Sequence, residues 1–208
     1  MPRWLSEGLS VYEERQANPA WGMRMNPRFR GMILGDELTP ISKLSGAFMS
    51  PESNVHLQFA YYESSLVVEH IVERFGLESI RKILRDLSQG VKINDAIAKH
   101  TEPIKKLEVA FSKYAKSKAE ELAPELEWDK PDPRELRVNI EELAKKHPKN
   151  FYILSQQARR AITARDWEAA KAHCRKLIKL FPRQNGGANN PYVLLAKAHR
   201  ELKEFSEE

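Results

Sequence analysis

Apolar residues recur every three to four positions along most of this 208-residue chain, and few stretches alternate with a period of two. A spacing near 3.6 places apolar side chains on one face of a helix, whereas a half-buried strand needs strict alternation. We therefore predict an all-α fold. The pattern predicts helices over residues 3–15, 55–75, 78–88, 94–99, 103–121, 134–146, 150–164, 167–181 and 191–204.

Glycine and proline divide this helical pattern. Gly76 and Gly90 follow two of the periodic stretches and are typical helix stops. Residues 18–54 are less regular, and residues 122–133 hold three prolines and show no helical period. We interpret 122–133 as a linker between a first domain, 1–121, and a second domain, 134–208.

Composition excludes several classes of protein. No apolar run approaches the roughly 20 residues that a membrane span needs, so we expect no span in this chain. A single cysteine, Cys174, cannot form an internal disulfide, and we expect it to pack inside the second domain as a small apolar residue.

The net charge of +5 comes from basic residues that are interleaved with acidic ones. The longest basic row is Lys171, Arg175 and Lys179, spaced along one predicted helix. A solvated helix face explains such a row, and the row could also steer an acidic peptide toward this domain. A surface that tracks nucleic-acid phosphates needs a more extensive stripe of basic residues than this one row, so we expect no nucleic-acid partner.

The second domain contains a recurrence of 34 residues. Three positions have counterparts 34 residues later: Leu136 with Ala170, Leu143 with Leu177, and Pro148 with Pro182. Residues 150–182 have the length of one helix–turn–helix unit, with a small residue at Ala170 and a closing proline at Pro182. This segment resembles a tetratricopeptide repeat, in which stacked helix pairs share one core.

The resemblance implies one full repeat and two partial ones within 134–208, with a protein or peptide bound in the groove that such repeats form. Gln157 and Ala161 replace larger apolar residues of the family pattern, and residues 183–190 lengthen one loop. A generic pair of helical hairpins is the alternative. The chain ends at Glu208, where a second helix of the last repeat is expected, and the turn at 203–208 would begin it.

The segment Trp4-Leu-Ser-Glu-Gly-Leu-Ser-Val-Tyr12 is the most specific string in the sequence. It resembles the second zinc helix of gluzincin metallopeptidases, which follows an HExxH helix. The resemblance implies that Glu7 is the third zinc ligand. Zinc accepts histidine nitrogen and carboxylate oxygen and keeps one position for water, which it activates for hydrolysis.

Residues 2–120 as a whole resemble the helical subdomain of this peptidase family. In the family, a tyrosine early in the long helix donates a hydrogen bond to the developing oxyanion. The position falls on Tyr61, with Tyr62 as second choice, and a phenol is a neutral donor at pH 7. The alternative is that both tyrosines only pack.

No HExxH occurs among the residues around the six histidines. We therefore expect zinc in a longer protein that carries the missing ligands upstream, and no cofactor in this chain. As an alternative, Glu7 is a surface residue paired with Arg3, four residues earlier. Without the missing helix, we expect the apolar face of residues 3–15 to be exposed, unfolded or used for self-association.

Two functions remain open from the sequence. The first is a protein-binding or peptide-binding scaffold with an incomplete peptidase-like region, which fits this chain as it stands. The second is part of a zinc-dependent metallopeptidase, which fits a longer protein. The family resemblance favours the bacterial cell envelope or periplasm for such a protein.

Overall fold

The computed structural model describes residues 1–184 and 190–204. Within these ranges the chain forms twelve α-helices and one 3₁₀ helix and no strand, so the predicted all-α class is confirmed. The chain divides into two compact units, Met1–Leu122 and Ala123–Glu208, called unit 1 and unit 2 below. No helix in the described ranges has the length and apolar character needed to cross a membrane.

Unit 1 is built from seven α-helices and one 3₁₀ helix. Their bounds are α1 Arg3–Ala17, α2 Pro27–Leu34, the 3₁₀ helix Ile41–Lys43, α3 Leu44–Met49, α4 Asn54–Phe75, α5 Leu77–Ser88, α6 Ile93–His100 and α7 Ile104–Glu120. Asn26 and Ser53 cap α2 and α4 by accepting from backbone N–H groups of the first turn. Gly76 ends α4 at φ 81°, as its helix-stop position predicts.

Helix α4 is the central element of unit 1. Its residues from Phe59 to Ile71 are nearly all buried, including polar ones such as Ser64 and Ser65. A helix whose whole circumference is buried needs other elements packed against every side of it. Helices α1, α3, α5 and α7 all pack against α4.

Helix α1 lies directly on α4, and this overturns one prediction from the sequence. The apolar face of α1 is covered, because Trp4 and Leu5 are each only 1% exposed and Val11 only 8%. Gly8 makes the close approach feasible, since a Cβ at this position would lie 2.7 Å from the carbonyl oxygen of Ser64. The expectation of an exposed or self-associating face on residues 3–15 was therefore wrong: α4 supplies the cover.

The described residues of unit 2, 123–184 and 190–204, form five helices. They are α8 Pro133–Val138, α9 Ile140–Lys146, α10 Phe151–Ala164, α11 Trp167–Leu180 and α12 Pro191–Glu201. The single helix predicted over 134–146 is broken at Asn139, which caps neither half with its side chain. Residues 185–189, within the predicted loop insertion, and 205–208, within the predicted last turn, lie outside the described residues.

The interpretation of 122–133 as a plain linker needs correction. The unit boundary follows Leu122, but the rest of the segment belongs to unit 2. Leu126 is buried, and the backbone of Glu127 exchanges hydrogen bonds with Lys149 and Phe151. Trp128 stacks near Phe151 at 4.9 Å between ring centroids. Three prolines prevented a helix here without preventing packing.

Helices α10, α11 and α12 form the core of unit 2. Helix α11 packs against both α10 and α12, and α10 also contacts α12. Ala170 and Cys174 on α11 are fully buried between these neighbours, which confirms the prediction that Cys174 packs inside. Burial raises the pKa of the Cys174 thiol to about 11, so the group stays a neutral thiol.

Candidate functional site

A surface cluster on unit 1 brings together two of the three residues predicted to carry metallopeptidase chemistry. Arg3 donates from Nε to Oε1 of Glu7 at 3.4 Å and from a terminal nitrogen to the hydroxyl of Tyr61 at 3.0 Å. The guanidinium also lies over the ring of Phe48, 5.6 Å from its centroid. Phe48 in turn meets Tyr61 edge-on at 5.1 Å. Residues from α1, α3 and α4 thus meet around one cation.

The ion pair between Glu7 and Arg3 matches the surface-residue interpretation of Glu7. The side chain of Glu7 is 32% exposed and that of Arg3 57% exposed. An exposed pair of this kind contributes about 0.2–1 kcal/mol at most. The zinc-ligand role of Glu7 and the oxyanion role of Tyr61 stay predictions, but the two residues do lie within reach of the same guanidinium.

Tyr62 lies in a different environment from Tyr61. Successive helix residues point about 100° apart, so Tyr62 turns into the core, where it is 3% exposed. Its ring stacks on Phe29 at 5.1 Å between centroids. Burial raises the pKa of the Tyr62 hydroxyl well above its usual value. This geometry suits packing between α2 and α4.

The donors around Glu7 do not form a zinc site by themselves. One carboxylate is present, and its nearest charged partner is the Arg3 guanidinium, which competes with a metal cation for the same oxygen. No group of three or more His, Cys, Asp or Glu side chains suited to a metal occurs in residues 1–184 and 190–204. Zinc binding at Glu7 therefore depends on ligands that the described residues do not supply.

Two buried carboxyl groups on α4 were missed from the sequence. Glu69 is 8% exposed and accepts from Arg15 of α1 at 2.8 Å and from Lys118 of α7 at 3.3 Å. It therefore joins three helices through charge-assisted hydrogen bonds. A glutamate inside an otherwise apolar helical run was the available signal, but the sequence does not reveal which distant cations pair with it.

Glu63 is the second buried carboxyl group and is 1% exposed. Its Oε1 accepts from the backbone N–H of Thr39 at 2.6 Å, whereas Oε2 has no hydrogen-bond partner among the described residues. Burial raises the pKa of Glu63 to about 8, against the opposing effect of the Thr39 hydrogen bonds. The group is therefore largely protonated at neutral pH.

In unit 2, an accessible stripe runs along α10. Tyr152, Gln156, Arg159 and Thr163 are spaced by four, three and four residues, which places them on one face of the helix. Arg159 is exposed, and it donates through Nε to the carbonyl oxygen of Ser155 at 3.3 Å. The ring of Tyr152 lies 5.7 Å below the ammonium group of Lys130.

Helix α12 repeats this stripe 40 residues later. Tyr192, Ala196 and His199 hold the positions of Tyr152, Gln156 and Arg159, and Tyr192 is 40% exposed. Because α10 and α12 contact each other, the two stripes lie on neighbouring helices.

The same 40-residue recurrence includes the helix caps. Asn150 and Asn190 are both buried, and each accepts from the N–H groups two and three residues later. Two buried asparagines in equivalent roles indicate equivalent starts for α10 and α12. In the sequence this recurrence is Asn-Phe-Tyr-Ile-Leu at 150–154 and Asn-Pro-Tyr-Val-Leu at 190–194. Its spacing is 40 and not 34 residues, because the connection between α11 and α12 is longer.

The basic row on α11 is not a uniform solvated face. Arg175 and Lys179 are exposed, but Lys171 is 5% exposed and donates to Glu204 at 2.8 Å and to Glu168 at 3.1 Å. These partners raise the pKa of the Lys171 ammonium group. Lys171 therefore holds the segment that follows α12 and is not available to steer a ligand.

Comparisons of the chain with protein-family models, with curated proteins and with solved structures gave no match. The all-α class rests on the structure itself. The gluzincin and tetratricopeptide resemblances therefore stay predictions from the residues quoted above.

Proposed function

We propose that this chain is a protein-binding or peptide-binding scaffold and that unit 2 holds the bound segment. The observation that carries the proposal is the matched pair of accessible stripes on α10 and α12. Each stripe begins with a tyrosine placed by a buried asparagine cap, and the two helices are in contact. Tyrosine and arginine are the residue types that most often dominate binding energy at protein interfaces.

The helical arrangement supports the tetratricopeptide interpretation of unit 2. Helices α10 and α11 have 14 residues each and are joined by only Arg165 and Asp166. Arg165 adopts φ 60°, which reverses the chain, and Asp166 caps α11. A third helix then packs on both members of the pair, as a stacked repeat requires.

Charge supports an acidic partner for this surface. Residues 123–208 contain 17 Lys and Arg against 13 Asp and Glu, so unit 2 carries +4 of the net charge of +5. Complementary charge raises association rates and disfavours wrong partners. We expect a bound segment to carry carboxylates that reach Arg159.

The test is a selection of displayed peptides on the intact chain, followed by calorimetry of the selected peptide with variants. Arg159→Gln should weaken binding at least about tenfold, which corresponds to about 1.4 kcal/mol. Lys176→Gln removes an exposed cation from α11 and serves as the matched control, with a dissociation constant within about twofold of the unchanged chain. Equal effects of both substitutions, or no selected peptide, would contradict the proposal.

A second candidate function is supported by the cluster around Arg3. Glu7 and Tyr61 are 54 residues apart in sequence, yet both bind the same guanidinium. We propose accordingly that unit 1 is part of a zinc metallopeptidase in a longer protein that supplies an HExxH helix. The experiment is zinc analysis of that longer protein: Glu7→Gln should lower bound zinc, and Glu13→Gln, on the same helix, should leave it unchanged.

A further inference from the structure

A small pocket in unit 1 lies apart from the cluster around Arg3. It is lined by the segment between α2 and the 3₁₀ helix on one side and by one face of α7 on the other. Its volume is about 230 Å³. The lining residues are Asp36, Leu38, Thr39, Pro40, Ile41, Glu108, Phe111 and Ser112. Pockets for drug-sized ligands span roughly 300–1,000 Å³, so this one suits a single side chain.

The walls of the pocket are apolar and its charged groups are carboxylates. Ile41 and Phe111 are buried, and they provide a surface for an aliphatic stem. Glu108 uses one oxygen, Oε1, to accept from the N–H and hydroxyl of Ser42 at 3.0 and 2.7 Å. Its second oxygen accepts no hydrogen bond from the described residues. Asp36 presents a second carboxylate, which is 78% exposed.

An ion pair within the chain shows one kind of group that binds the carboxylate of Asp36. Lys116, two turns after Glu108 on α7, places its ammonium group 2.6 Å from Oδ1 of Asp36. An ammonium group is compact and donates three hydrogen bonds, so it can contact carboxylates on separate walls. A guanidinium binds most strongly to a carboxylate that offers both of its oxygens, and Ser42 already occupies one oxygen of Glu108.

We propose that this pocket binds the lysine side chain of a partner protein. The stem lies between Phe111 and the connecting segment, and the ammonium group binds the second oxygen of Glu108 and Asp36. Lys116 occupies Asp36 when no partner is present, so it is a competitor that the partner lysine displaces. This site does not depend on the binding function proposed for unit 2.

The probe is Nα-acetyl-lysinamide, titrated into the ¹⁵N-labelled intact chain. Amide shifts should move at Asp36, Thr39 and Ser112, with a dissociation constant in the millimolar range, as expected for so small a ligand. Nα-acetyl-norleucinamide keeps the stem and lacks the ammonium group, so it should bind at least about fivefold more weakly. Equal binding of the two compounds, or shifts located elsewhere, would overturn the proposal.

Substitutions of Lys116 and Asp36, the two charged residues that pair at the pocket, should change the affinity for Nα-acetyl-lysinamide in a defined way. Lys116→Met removes the competitor and should tighten Nα-acetyl-lysinamide binding about three- to fivefold. Adding Asp36→Asn should abolish that gain, and asparagine tolerates the φ of 61° found at this position. An unchanged affinity in Lys116→Met would overturn the proposal that the partner lysine displaces Lys116 from Asp36. Tighter binding of 1,5-diaminopentane than of the capped lysine would assign the pocket to a free amine instead.

Discussion

At the scale of single residues, the packing of unit 1 depends on a few positions at which a larger side chain or a different charge would not fit. Gly8 lets α1 approach α4, and Glu63 and Glu69 place carboxyl groups inside unit 1. The sequence pattern identified the helix that contains Gly8 but not the partner that covers it. Apolar periodicity defines a face, and any apolar element can cover that face.

Replacing Gly8 by alanine should destabilise unit 1 by roughly 1–3 kcal/mol, because the new Cβ would meet the Ser64 carbonyl at 2.7 Å. Thermal denaturation followed by circular dichroism measures the change. Gly31→Ala is the matched control, since a Cβ there meets no atom within 4 Å. That substitution should stabilise α2 by up to about 1 kcal/mol. A loss of stability in both variants would contradict the close approach.

Glu63 predicts an unusual dependence of stability on pH. Its pKa in the folded chain is about 8, above the ordinary value of 4.5, so the folded state binds the proton more tightly than the unfolded state. Stability should therefore fall as pH rises from about 4.5 to 8, with each pKa unit equivalent to about 1.4 kcal/mol. Glu63→Gln should raise the melting temperature at pH 8.5 and change it little at pH 4.5.

Denaturation of this variant and of Glu37→Gln, which removes an exposed carboxylate from the same unit, checks the origin of the effect. Glu37 is half exposed, so its substitution should leave the pH profile unchanged. A Glu63→Gln profile parallel to that of the unchanged chain would show that the buried carboxyl group does not control stability.

At the scale of elements, most helix positions could be predicted from the sequence, because the apolar periodicity and the glycine and proline stops indicated the same helix ends. Helices α4 and α5 begin within one residue of the predicted starts and end as predicted at 75 and 88. Helix α6 begins at Ile93, one residue before the predicted start, and the side chain of Asn94 donates to the Ser42 carbonyl at 3.3 Å. Local sequence does not reveal such tertiary partners.

The connection between α5 and α6 depends on one buried carboxylate. Asp86 accepts from Lys99 and His100, each at 2.8 Å, and these bonds lower the pKa of Asp86. Its stabilising effect is present above the ordinary pKa of 3.8 and is lost as pH falls through the lowered value. Asp86→Asn should lower the melting temperature at pH 7, and the difference should vanish at the lowest pH.

Asp95→Asn provides the comparison for Asp86, because Asp95 is exposed on the adjacent helix. It should leave the melting temperature nearly unchanged at both pH values. A difference between Asp86→Asn and the unchanged chain that persists below the lowered pKa would assign the effect to packing and not to charge.

In unit 2, the pairing of Lys171 with Glu204 was not accessible from the sequence, because the partners are 33 residues apart. Glu204→Gln should lower the melting temperature, since it weakens the main partner of a buried ammonium group. Glu168→Gln removes the second partner, whose side chain is 70% exposed, and should have a smaller effect. The reverse order in a denaturation series would mean that Glu168 holds Lys171.

At the scale of the whole molecule, the two units have separate cores, with α4 central to one and α11 to the other. Residues 1–122 and 123–208, produced separately, should each fold, and the sum of their circular dichroism spectra should match that of the intact chain. A unit that lacks helical signal alone would show that its core is incomplete without the other.

The central claim is that unit 2 binds a protein segment along the stripes of α10 and α12. Its most direct measurement is the change in amide shifts when a selected acidic peptide is added to the ¹⁵N-labelled intact chain. The shifts should concentrate at residues 152–163 and 192–199 and should disappear in Arg159→Gln. Shifts confined to unit 1, or to the exposed basic residues Arg175, Lys176 and Lys179 of α11, would contradict it.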